Sequence, residues 1–126
     1  MIVLMFKPRF APLVQSGAKR QTIRPLRKRP VKVGDVLSLR EWTGLPYRSP
    51  QRILRAEETC KEVHAVMMST NPKDLSQFLL SIDLMEIHNP YREFFARDDG
   101  FPCWAAMCDW FAQTHGFPFN GVLIKW

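Results

Sequence analysis

No stretch of this 126-residue chain approaches the roughly 20 consecutive apolar residues that a membrane-crossing helix needs. The apolar run Ile2–Phe6 stops at Lys7-Pro8, and Lys7 and Arg9 follow it where a secretory signal would place its cations first. No secretory leader is expected. Cysteine is sparse and odd in number: Cys60, Cys103 and Cys108 have no framework spacing, which excludes a disulfide scaffold and suits a reducing cytoplasm. Walker loops, Rossmann glycine fingerprints and nucleophile elbows are missing too, so no cofactor is expected. Nor is a metal. Cys60 and His64, four apart in an extended run, would stand about 13 Å apart, too far to share one ion. The thiols are expected to be buried and free.

Acids are the most informative scarcity. Residues 1–55 hold 13 of the 18 Lys and Arg but only two of the 12 acids, Asp35 and Glu41, a net +11. Residues 56–126 hold the other five cations and ten acids, a net −5. Lys19, Arg20, Arg24, Arg27, Lys28, Arg29 and Lys32 follow one another with no acid among them. Such a field draws polyanions, nucleic acid before anionic membrane. Pro25 and Pro30 interrupt the run and disfavour a long basic helix lying on a lipid surface. A purely solvated basic loop is the plain alternative.

Apolar content of 46% and charged content of 24% are those of an ordinary globular chain, long enough for one domain over residues 1–126. Ile2–Phe6 reads as a buried strand. Phe10, Leu13 and Val14 at i, i+3, i+4 before Gly17 predict a short helix with a glycine cap, followed by an extended segment to Pro25. Gly34-Asp35 predicts a turn, residues 36–41 a half-buried strand and residues 41–49 a loop. Residues 53–68 predict one long or two short strands, with Val63, Ala65 and Met67 on one face. The Ser69-Thr-Asn-Pro72 signal predicts a helix through Leu79. Tyr91, Phe94 and Phe95 predict a helix ending before Asp98. Trp104, Met107, Cys108 and Phe111 predict another that ends near Gly116, and Val122–Trp126 a closing strand. The sum is an α+β chain: a small mixed β-barrel with flanking helices.

Chemistry gathers in Gly17-x-Lys19-x-x-Thr22-Ile23-Arg24. Thr22 and Arg24, two apart on an extended segment, face one side, and Lys19 is positioned to fold over it. A cation, a hydroxyl and a guanidinium in one cleft suit a nucleobase edge or a phosphate. The plain alternative pairs Arg24 with Asp35. Trp104 and Trp126 sit on core-like elements, whereas Trp42 and Tyr47, flanked by Arg40 and Arg48, are candidates for stacking a base.

This stretch, with Gly34-Asp35-Val36-Leu37 after it, resembles the signature of the ASCH domain family, a branch of the PUA-like barrels. Asp99-Gly100-Phe101 and the Gly116-to-Trp126 tail resemble that family's C-terminal half, with Asp where it has Glu. The resemblance implies a domain that binds RNA or a modified nucleoside; the charge run and the loop aromatics place its contacts in a basic cleft over residues 17–42, on Arg20, Arg24, Arg27, Lys28, Arg29, Arg40, Trp42 and Tyr47. Some members of the family are N4-acetylcytidine amidohydrolases with a Lys, Thr and acid set, which falls here on Lys19, Thr22 and Asp99; ribonuclease activity also occurs. A protein-interaction module is what remains if the basic run is only solvated.

Overall fold

The computed structural model describes residues 1–71 and 73–126. Strand β1 (Ile2–Met5) leads through Lys7-Pro8 into helix α1 (Ala11–Ser16), whose first turn holds Pro12. Gly17 ends α1 in the left-handed region at φ 86°, and its N–H donates to the Val14 carbonyl. A side chain there would also displace the Arg55 guanidinium, which lies 2.8 Å away, but it is the positive φ that requires glycine. Lys19 then turns the chain into β2 (Gln21–Pro25), as the sequence predicts. After the Gly34 turn come β3 (Val36–Trp42), β4 (Gln51–Thr59) and β5 (Glu62–Asn71).

The predicted helix after Ser69 is instead a strand, β6 (Asp74–Ile82), antiparallel to β5; Pro72 lies outside the described residues. Pairing of Met68 with Leu80, both fully buried, outweighs the local helix-start signal. The buried face of β5 is Val66 and Met68, which leaves Met67 on the outer side. A two-residue strand β7 (Met85–Glu86) follows, then α2 (Tyr91–Asp98), α3 (Trp104–Thr114) and the final strand β8 (Phe119–Lys125).

The strands form two sheets, ordered β1-β3-β4 and β2-β8-β5-β6-β7. The β1–β3 pair is parallel and the other pairs antiparallel. The fold is thus mixed α+β and mostly strand. No closed barrel is found among the described residues: the chain changes sheet at α1, between β2 and β3, and again after β4, and no ladder joins the two. One buried cluster draws on both: Leu4, Leu37, Leu39 and Leu54 meet Ile23, Val66, Leu80, Leu123 and Ile124, with Val14 from α1. All four stripe residues of α3 (Trp104, Met107, Cys108, Phe111) are buried in it. Glu93 of α2 accepts from the Trp104 N–H at 3.0 Å, fastening α3 at its start. No helix is long and apolar enough to cross a membrane among the described residues.

Strand β8 lies between β2 and β5, pairing Thr22 with Ile124 on one side and His64 with Leu123 on the other. Ile124→Ala removes a fully buried side chain at this seam and should cost about 2–5 kcal/mol in chemical denaturation. Removal of residues 122–126 should abolish cooperative melting; a truncated chain that melts like the parent would show β8 to be peripheral.

Candidate functional site

Four residues of the motif analysis converge. A pocket of about 180 Å³ opens between the end of β1, β2, Asp99 and the last turn of α3. Lys19, Thr22, Arg24 and Asp99 line it on the polar side. Phe6, Phe10, Ile23 and Trp110 form apolar wall, and Lys7, Thr114 and His115 belong to its lining as well.

At its base is a buried ion pair. Lys19 and Asp99 are each 3% exposed. The Lys19 ammonium donates to the Asp99 carbonyl oxygen and stands 3.5 Å from its Oδ1. It also lies over the Phe10 ring, 4.9 Å from the centroid. Gln21 Nε2 donates to the same Oδ1 at 3.3 Å. Gly100, at φ 96°, makes this packing possible: a side chain there would meet Lys19 Cδ at 3.0 Å and Phe10 at 3.2 Å. Glycine after the acid therefore has a physical reason.

Burial penalises both charges. It lowers the Lys19 pKa, with Arg24 adding to the fall and Asp99 opposing it. Burial pushes Asp99 up to about 6, against the pull of Lys19, the Gln21 hydrogen bond and Arg24. Burial thus shifts the two groups toward one another, the ammonium down and the carboxyl up.

Arg24 shares the face of β2 with Thr22 and donates from Nε to Thr22 Oγ1 at 3.1 Å. Its Nη2 donates to the Met5 carbonyl at 2.6 Å, and its guanidinium lies 4.8 Å from the Phe6 centroid. Burial, with Arg27 nearby, brings the Arg24 pKa down to about 10. The alternative pairing with Asp35 does not form: Asp35 Oδ2 accepts from the Lys32 backbone N–H at 2.8 Å, closing its own turn.

The expected cleft over residues 17–42 is not one surface. Arg40 donates to Ser38 Oγ and Gln51 Oε1 on the other sheet. Trp42 and Tyr47 stack on each other at 5.1 Å, away from the pocket lining, with Tyr47 89% exposed. Arg20 faces a separate depression beside Lys61 and donates to the Trp126 carbonyl at 3.2 Å. Arg27, Lys28 and Arg29 are exposed on the segment after β2. Cys60 and Cys108 are buried and free, but Cys103 is only half-buried. His64 is held by Asp83 at 2.6 Å and Glu62 at 2.9 Å. Among the described residues no group of His, Cys, Asp or Glu is arranged to hold a metal.

Sequence reasoning missed the aromatic wall and Gln21. Trp110 falls off the 104-107-108-111 stripe, so periodicity leaves it out, and Gln21 points toward a partner 78 residues away. Compared with family models, curated proteins and solved structures, the chain matches none. The site is therefore read from its own geometry.

Two linked expectations test the pair. Asp99→Ala should destabilise the fold by about 3–5 kcal/mol, because it strands a buried ammonium. The double change Lys19→Met with Asp99→Leu should be neutral or stabilising in the same denaturation, since ordinary packing replaces two desolvated charges. If the double variant is as damaged as the single one, the pair is a structural element and no site.

Proposed function

We propose that the pocket takes a cytosine-like ring and hydrolyses an amide on its exocyclic nitrogen. The observation that carries this reading is a buried Lys–Asp pair with converging pKa values, in a ring-sized pocket that also contains a hydroxyl held by a guanidinium. About 180 Å³ is less than the roughly 300–1,000 Å³ of sites that enclose a whole drug-sized ligand. One ring fits, and the remainder of the molecule stays outside. The resemblance of residues 17–24 and 99–101 to ASCH amidohydrolases supports the same assignment. On that reading the two sheets are the halves of an opened PUA-like barrel.

The chemistry balances as follows. The pair holds one proton, which passes between Lys19 and Asp99. With the proton on Asp99, the neutral Lys19 amine takes the Thr22 hydroxyl proton while Thr22 Oγ attacks the acyl carbon. Arg24 donates to Thr22 Oγ1 and so favours the developing alkoxide. Asp99 gives its proton to the departing amine, leaving an acyl ester on Thr22. Water then attacks the ester, Asp99 takes the water proton, and Lys19 returns a proton to Thr22 Oγ.

Lys19→Ala should lower turnover of an N4-acylated cytidine by at least about 100-fold, the usual scale for a lost general base. Asp99→Glu restores the side-chain length of the family's acid and should keep or raise activity. The pH–rate profile should have an acid limb near pH 6, where the pair gains a second proton. An inert wild type and an inert Asp99→Glu protein would leave a binding pocket without chemistry.

A second reading, RNA binding on the outer surface, is favoured by Arg27, Lys28 and Arg29, which are exposed and form no ion pair among the described residues. Changing all three to Ala should weaken binding to every RNA sequence and flatten its salt slope by up to about 3 counterions. Unchanged affinity and slope would remove this segment from the contact surface.

A further inference from the structure

The pocket lining also gathers two cations and a histidine that form no ion pair among the described residues. Lys7, just after β1, carries its ammonium over the face of Trp110, 5.4 Å from the ring centroid. Arg24 is spread over Phe6, with two of its five N–H groups used within the protein. His115 follows α3, its ring packed 4.9 Å from Phe119 and 5.7 Å from Trp110. Among the described residues, Lys7, Arg24 and His115 have no carboxylate within ion-pair distance. Asp99, the one acid in the lining, is already engaged by Lys19 and Gln21.

Mutual repulsion marks the cluster. The His115 pKa is lowered first by burial and then by Lys7 and Arg24, whereas Arg24 feels the attraction of Asp99 ahead of the repulsion of Arg27. Two cations held on aromatic faces, Lys7 and Arg24, beside the His115 ring are a standing attraction for an anion. The mouth is also where the rest of a ligand would protrude once its ring fills the pocket.

We propose that this mouth is a phosphate subsite, in which Lys7, Arg24 and His115 take a phosphoryl group on the ribose of a cytosine nucleotide. The inference rests on the nucleobase reading for the ring, but the subsite has its own chemistry. Lys7 contributes a point charge, Arg24 planar N–H donors and His115 one ring N–H. The preferred substrate is then a phosphorylated cytidine rather than the free nucleoside.

Calorimetric titration of the full chain at low salt tests this with cytidine, cytidine 5′-monophosphate, ribose 5-phosphate and the dinucleoside monophosphate CpC. Cytidine monophosphate should bind about tenfold or more tightly than cytidine. Ribose 5-phosphate should bind measurably. Lys7→Gln, which keeps a polar stem over Trp110, should remove both effects while weakening cytidine binding far less; His115→Gln should reduce them in the same direction. Lys7-dependent binding of ribose 5-phosphate without any binding of cytidine would uphold the subsite and overturn the base reading. An equal advantage for CpC would assign the phosphate to an RNA chain, and its absence to a mononucleotide, each in support of the subsite. If ribose 5-phosphate does not bind and cytidine monophosphate binds no better than cytidine, the subsite is wrong. It is equally wrong if both variants keep the wild-type preference.

Discussion

A lysine ammonium and an aspartate, 80 residues apart in the chain and both removed from water, hold the candidate site together. Desolvating two charges costs several kcal/mol each, and in a protein interior their attraction seldom returns more than that. For a chain of this size, with about 5–15 kcal/mol of total stability, such a pair is an expensive way to fill space. The rest of the neighbourhood is arranged around it. Gly100 leaves room for the lysine stem, Phe10 lies under the ammonium, and Gln21 satisfies the carboxylate. Strand β2 then sets Thr22 and Arg24 beside the pair, and β8 holds β2 in register.

The same arrangement separates two kinds of positive charge. Arg24, half-buried, and Lys7, exposed, are oriented on aromatic faces at the pocket. Arg27, Lys28 and Arg29 are exposed and carry no directional partner. Charge of the first kind recognises a group at one position; charge of the second kind attracts polyanions without selecting among them. A chain with a net +11 over its first 55 residues carries both kinds, and the proposed nucleic-acid-related substrate would suit the two together.

Local signals were readable because their causes are local. A glycine after i, i+3, i+4 apolar spacing ends α1, and the four-residue stripe of α3 is buried as its period requires. Thr22 and Arg24 share a face by the two-residue repeat of a strand alone. Asp99 is different: no spacing rule links it to Lys19, and only the Asp-Gly-Phe resemblance brought it forward. Strand β6 was misread because a capping signal is local while Met68–Leu80 pairing is not. Arg40, Trp42 and Tyr47 were grouped with the cleft by sequence proximity, but β3 belongs to the other sheet. His115 and Trp110 were invisible as site residues because the pocket wall exists only once α3 has docked.

The most direct measurement is the titration of the Asp99 carboxyl carbon by NMR, in the wild type and in Lys19→Met. A midpoint near 6 is expected in the wild type, because burial outweighs the neighbouring cations. Loss of the Lys19 charge should then move it higher still. A wild-type midpoint near the ordinary 3.8, unmoved by the Lys19 change, would mean that the carboxylate is solvated and unpaired. In that case the pocket has no proton-sharing pair at its base.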